Sequence, residues 1–559
     1  MKKITFSTLA FLGLLINNNL DAQTSRVQII HNSADAAAEI VDIYAGTDLL
    51  IDDFEFRTAT SFLDLPADVS INIGIAPSTS SSSTEAIATI PVTFNSGDTY
   101  VVVANGLISP SGYSPDAASA PFNLYAINYG REESSIMGNT DVLVFHGATD
   151  APTIDVQAVG AGTVIDNLSW SEFEGNYLEL PNANYTLNIT DETGSTVVKS
   201  YQAPLETLGL SDSALVVLAS GFLDPSVNSD GPEFGLWVAL PEGGDLIPLP
   251  ESTSRLQVIH NSADVLAASV DIYLNDALLL DNFDFRTASP FIDAPAEIEH
   301  TIAIAPSTST DVSDAVVTVP VTFSANETYI AIANGILSPT GYSPATPFSL
   351  DIFDLGREAS STTGNTDVLV FHGSTDAPMV DVDEAAAGNL VNDITYGEFD
   401  GYLELPTADY ILQVKDAAGS SVLFSYGAPL ASLSLENTAI VVVASGFVNP
   451  SVNNDGAEFG LWVALPSGGA LVALPTAFAN VNNYGREFSV FPNPTESNFT
   501  INGINNKANI EIWTLDGKLI TSQQILSNES VNTDFLESGM YILKVKEEMF
   551  EQTIKFTVK

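Results

Sequence analysis

The stretch PADVSINIGIA, residues 66–76, decides the fold. Val69, Ile71, Ile73 and Ile75 alternate with Ser70, Asn72, Gly74 and Ala76, the period of two of a strand with one buried face. Similar short runs lie at Val27 to His31, Val41 to Tyr44, Ala86 to Phe94, Thr99 to Ala104 and Phe122 to Ile127. Clusters of Pro, Gly, Asn and Ser separate them. About seven short strands in about 110 residues, with little sign of helix, suit an immunoglobulin-like β-sandwich. A closed barrel is the competing architecture, and the strand pattern does not separate the two.

The same text returns along the chain. RVQIIHNSAD from Arg26 reappears as RLQVIHNSAD from Arg255, GNTDVLVFHG from Gly138 recurs unchanged from Gly364, and EFGLWVALP from Glu233 recurs unchanged from Glu458. These offsets define a long duplicated unit. Inside each unit lies a weaker copy: PADVSINIGI near Pro66 matches PNANYTLNIT near Pro181, and YVVVANGL near Tyr100 matches LVVLASGF near Leu215. The order is therefore A-B-A-B. The segments are A1 at 26–139, B1 at 140–252, A2 at 255–364 and B2 at 365–476, then a linker at 477–487 and a different kind of sequence at 488–559.

Charge follows the same division. The 559 residues carry 70 Asp and Glu against 17 Lys and Arg, a formal net charge of -53. Of these, 59 acidic and only eight basic residues lie between 24 and 484, whereas residues 485–559 are nearly balanced. A chain with this field repels nucleic acid, whose binding needs the opposite sign to release counterions. An anionic membrane surface is disfavoured for the same reason. Zero Cys excludes a disulfide scaffold, a thiol nucleophile and Cys-ligated metal sites. An apolar content of 45% is ample for packed cores.

At the N-terminus, Lys2 and Lys3 precede an apolar run from Phe6 to Ile16 and a small residue at Ala22. This reads as a secretory signal peptide over residues 1–22, cut before Gln23. The run is too short to span a bilayer of about 30 Å, and no later segment reaches 18 uninterrupted apolar residues, so no transmembrane helix is expected in the mature chain.

Two resemblances follow from these motifs. The HNSAD start, the VDIY strand at Val41 and Val270, the pair FEFRTATSFLDLPA and FDFRTASPFIDAPA, and the NIGIAPSTS strand and loop resemble the secreted bacterial DUF4397 domains. The likeness is closest over 26–130 and 255–357, with the B modules as divergent copies, and it implies a secreted β-domain with no assigned activity. The C-terminal text resembles the type A sorting domain of the type IX secretion system of Bacteroidetes. Its landmarks are Pro492-Asn493-Pro494, Asp516-Gly517-Lys518, Ser538-Gly539-Met540-Tyr541 and the terminal Lys559. That resemblance implies the secretion machinery as a partner, export from the periplasm, and release of the cargo or its attachment to the outer surface.

Candidate chemistry recurs with the repeats. His31, His146, His260 and His372 each precede an Asp by four residues (Asp35, Asp150, Asp264, Asp376). A His-Asp pair serves base catalysis or metal binding; the favoured reading is structural, the His ending the first strand and the Asp capping the turn that follows. VNSDGPEFG and VNNDGAEFG offer Asp230, Glu233, Asp455 and Glu458 as calcium ligands, but the same letters first spell a turn, and neither fits an EF-hand loop. No other cofactor is expected. Tyr113 and Tyr342, on SPSGYSP and SPTGYSP loops, either contact a sugar or protein ligand or fold back over the sandwich end. Trp237 and Trp462 read as core. Arg57 and Arg286 are expected to neutralise neighbouring carboxylates.

No G-x-S-x-G elbow and no H-E-x-x-H is present. Features that recur in two or four modules point to a non-catalytic adhesion, binding or structural array, secreted or attached to the outer surface. The alternative is a secreted polysaccharide-active hydrolase or an accessory module of one.

Overall fold

The computed structural model describes residues 23–477 except 339, and residues 488–559 except 505–506, 516, 528 and 548–549. The expected signal peptide at 1–22, Asp516 and nearly all of the linker at 477–487 lie outside the described residues. The chain is all-β, a series of open sandwiches, and the barrel alternative falls away.

In A1 the strand Thr24–His31 is central to its sheet. It runs parallel to Thr99–Asn105 and antiparallel to Thr58–Ala59 and Leu63–Pro66. The facing sheet orders Asp48–Glu55, Ile40–Ala45, Ser70–Pro77 and Ala88–Thr93. Val27, Ile29, Val41, Ile43, Ile73, Ile75 and Val102 fill the space between. B1 repeats the plan: Asn139–His146 runs parallel to Ala214–Ser220, and the second sheet holds Gly162–Leu168, Ile154–Ala158, Asn184–Asp191 and Val197–Pro204.

The two modules are not beads on a string. Ile30, Val101 and Val103 point away from the A1 core and pack against Leu143, Phe145, Val216 and Leu218 of B1, forming a third apolar layer between the modules. The strand Gly244–Asp245 of B1 also pairs with Thr58–Ala59 of A1. Each A-B pair is thus one four-layer stack. This explains why the sequences of Thr99–Asn105 and Ala214–Ser220 are apolar without alternation: strands covered on both faces have no polar side to show. The second half repeats every strand, though not the short helix Pro115–Ala118 among the described residues, with Gly469–Ala470 on Thr287–Ala288 and a middle layer around Ile259, Ile330, Ile332, Leu369 and Phe371.

The passage from B1 to A2 is held on both sides. Ser252 donates its backbone N–H to Ser200 O at 2.8 Å and accepts from Ala296 N at 2.9 Å, while Lys199 meets Glu251 at 2.5 Å. The C-terminal domain is a separate small sandwich with its core on Phe488, Phe499, Ile510, Leu543 and Phe556.

Candidate functional site

The repeated motifs converge at one end of each four-layer stack, where A loops meet B loops. His31 ends its strand and is buried. Its Nε2 faces Ala38 O at 2.7 Å and its Nδ1 accepts from Ser33 N at 3.3 Å, so the backbone occupies both ring nitrogens. Burial pulls its pKa down to about 4, which holds the ring neutral at pH 7. Asp35 is bonded elsewhere: Oδ1 caps the following turn at Ala37 N, and Oδ2 accepts from Ile108 N and Ser109 N at 2.7 and 2.8 Å. No hydrogen bond joins His31 to Asp35 among the described residues, so the geometry is not that of an acid-base pair. In B1, Asp150 reaches a loop more than 70 residues on, accepting from Leu223 N, Asp224 N and Asn228 Nδ2.

Tyr113 folds back. Its ring lies 5.5 Å from Phe222 of B1, and its hydroxyl accepts from Ala36 N and donates to Asp35 Oδ1. Tyr342 repeats this against Phe447, with Val265 N and Asp264 as hydroxyl partners. The two loops singled out in the sequence, around Tyr113 and around Asp230, therefore touch each other. Asn228 joins them: fully buried, it accepts from Ser114 N at 2.9 Å and donates to Asp150 and to Asp224 O. Sequence reasoning missed Asn228 and its counterpart Asn453, since an Asn in a turn-forming string carries no mark of burial.

Asp230, Glu233, Asp455 and Glu458 are exposed, with Asp230 and Asp455 in the left-handed turn conformation at φ 48° and 49°. Among the described residues the one group of three carboxylates close enough to share an ion is Asp42, Asp52 and Asp53, on the far sheet of A1. In A2 the partner at the third position is Asn282, whose N–H donates to Asp271 as Asp53 N–H donates to Asp42.

Arg57 departs from its expected role. It makes no ion pair among the described residues; its Nε donates to Ser220 Oγ at 3.1 Å, and its Nη2 donates to the carbonyls of Ser220 and Glu233 at 3.2 and 2.9 Å. Glu233 thus contributes its backbone, and Trp237 serves as a half-buried platform under the guanidinium rather than as closed core. Desolvation lowers the Arg57 pKa to about 10, leaving it charged at neutral pH. Arg286 does the same with Ser445, Glu458 O and Trp462.

Among the sorting landmarks, the Pro492-Asn493-Pro494 turn clasps the last strand. Asn493 Oδ1 accepts from Thr557 N, its Nδ2 donates to Lys555 O, and Lys559 N donates to Thr495 O. Tyr541 donates to Glu537 O and lies 5.8 Å from the Phe556 ring. Gly517 has φ 86°, the conformation its hairpin position requires, and Gly539 opens the strand Gly539–Glu547.

Fold and motifs together define an exported multidomain β-sandwich protein with a C-terminal sorting domain. The chain carries two domains of the family described as "Domain of unknown function (DUF4397)", at residues 25–117 and 254–354, and a "Secretion system C-terminal sorting domain" at residues 489–559. No curated protein matches. Among solved structures, the chain is similar at 11% identity to the N-terminal four Ig domains of Dscam1 isoform 7.44, covering 77% of this chain and 100% of that one with a TM-score of 0.10. It is similar at 11% identity to dimeric latent PorU from Porphyromonas gingivalis, covering 79% of this chain and 36% of that one with a TM-score of 0.11. The sorting domain implies export by the type IX route to the outer surface or the medium. No helix among the described residues is long and apolar enough to cross a membrane.

Proposed function

We propose that the exported chain is a non-catalytic adhesion or binding array, its two A-B stacks presenting their acidic outer surfaces to extracellular glycan or protein ligands. One observation carries this reading: the chemistry-bearing residues that recur in the modules are engaged within the fold, some inside their own module and some across the A-B joint. His31, Asp35, Asp150, Tyr113 and Arg57 all have backbone or inter-module partners. What remains outward is a repeated, negatively charged surface, which suits presentation rather than a reaction centre. Basic protein segments are the ligands such a field favours.

The test is a glycan and extracellular-matrix array probed with the protein, run beside a panel of polysaccharides assayed for reducing ends. Saturable, salt-sensitive binding with no turnover is expected. Turnover of any polysaccharide, or binding to nothing on the array, overturns the proposal.

A further inference from the structure

B2 encloses a cavity of about 340 Å³ between its two sheets. Protein interiors leave few voids larger than a water molecule. By scaling from an apolar cavity of ~150 Å³ that takes up benzene, this one has room for roughly a dozen carbon atoms.

B1 provides an internal comparison, with a cavity of about 110 Å³ at the same place. The strand registers show one cause of the difference. Val380 and Val414 stand where B1 has Ile154 and Ile189, and Val391 stands where B1 has Ile165. Each exchange removes one methylene from the cavity wall. Leu423 and Val448 on that wall are 43% and 40% exposed, so the cavity reaches the surface there.

The wall carries two polar side chains, His372 and Tyr410. Tyr410 donates its hydroxyl to Pro406 O at 2.6 Å. His372 is 2% exposed, and its Nε2 lies 3.1 Å from Pro378 O, a carbonyl that fixes the ring proton on Nε2. Nδ1 is then an acceptor packed against protein, with no surface open to the cavity, so the wall offers a guest no free polar partner there. An ionised guest is opposed twice, by the apolar wall and, for an anion, by the field of the acidic modules.

We propose that B2 binds an uncharged hydrophobic small molecule, of the long-chain alcohol class, its alkyl body in the cavity and its hydroxyl towards the opening at Leu423 and Val448. B1, with the three isoleucines, does not.

The probes are 1-decanol and decanoate, titrated into the full chain and read by native mass spectrometry and calorimetry. One equivalent of decanol is expected, bound about tenfold more tightly than decanoate, since only the latter brings a negative charge to the acidic module. The triple variant V380I/V391I/V414I should bind at least about tenfold more weakly, because the same space is now filled. The reciprocal variant I154V/I165V/I189V leaves B2 intact and should raise the stoichiometry towards two. Absence of bound decanol on the wild-type chain, undiminished binding by the isoleucine variant, or equal affinity for alcohol and carboxylate overturns the proposal.

Discussion

The guanidinium carbon of Arg57 lies 4.0 Å from the ring centroid of Trp237, a residue of the other module, and Arg286 repeats the distance over Trp462. Arg57 holds this position at φ 60°, a left-handed conformation that costs a non-glycine residue roughly 1–2 kcal/mol. Its contacts outweigh that cost. Asn tolerates the same backbone, so Arg57→Asn isolates their loss. The variant is expected to lose about 2–4 kcal/mol of stability, from the cation–π contact and from the three hydrogen bonds that Arg57 donates to Ser220 Oγ, Ser220 O and Glu233 O. Arg57→Lys is expected to recover little, because one ammonium does not reproduce the planar fork. Urea denaturation measures both, with the unaltered A2-B2 half as internal reference, and an unshifted first-half midpoint counts against the role.

A second joint lies nearby. Asn32 Nδ2 of A1 donates to Asn105 Oδ1 and, at 3.3 Å, to Ala219 O of B1, and Asn105 donates to Gly147 O. A Cβ on Gly147 would stand 2.1 Å from Asn32 Nδ2 and 2.8 Å from Ala219 O. The carbonyl belongs to a central strand and has nowhere to move. Gly147→Ala is therefore expected to destabilise by about 1–3 kcal/mol through overpacking. Calorimetry should show one transition for the A1-B1 stack in the wild type and two in the variant; a single unshifted transition sinks the prediction.

This pair shows what the sequence contained and what it hid. The histidine is followed by Asn in the A copies (Asn32, Asn261) and by Gly in the B copies (Gly147, Gly373). Those letters were visible as repeats, but only the packing shows that one fits against the other. The alternation in 66–76 read correctly as a strand, but only its first half is covered on one face: Ser70 and Asn72 meet water, whereas Gly74 and Ala76 are buried and Val69 lies exposed before the strand begins. The unbroken apolar runs at Tyr100 and Leu215 carried the signal of a covered second face, yet an apolar run does not name what covers it. Arg57 was misread for a related reason: scarcity of bases suggests carboxylate partners, whereas its partners are carbonyls and a ring that no charge count records.

Acid should weaken the A modules through their buried histidines. Burial depresses His31 and His260 to about 4, against an ordinary value near 6.5 in the unfolded chain. Between those values the unfolded state takes up protons that the folded state refuses. The stabilisation is thus complete above pH 6.5 and declines as the pH falls towards 4, by about 3 kcal/mol for each histidine. Easing of carboxylate repulsion works in the opposite direction over the same range. The discriminating measurement is the slope of melting temperature against pH for the wild type and for the double variant His31→Gln, His260→Gln. The variant should melt lower at pH 7 and show a flatter slope, and parallel slopes refute the assignment.

The same stacks should respond to salt, for a reason the charge total alone did not give. All eight basic side chains between residues 24 and 484 are engaged within the chain. Six form ion pairs, and Arg57 and Arg286 cap carbonyls between modules. Two of the pairs use buried carboxylates, Arg131 with Asp141 and Arg357 with Asp367, which leaves still less positive charge to face outward. Most of the 59 acidic residues of this region therefore repel one another across the surface without a compensating cation. At 0.01 M ionic strength the Debye length is about 30 Å, long enough for charges on one stack to act on the next; at 0.15 M it is about 8 Å and the repulsion is confined to near neighbours. Desalting is expected to lower the melting temperature and sodium chloride to restore it. A neutral osmolyte at equal osmolality should give no comparable recovery of the charge-dependent part. If the melting temperature instead rises on desalting, the surface ion pairs of Arg26, Lys199 and Arg255 outweigh the repulsion, and the acidic surface is not a source of strain.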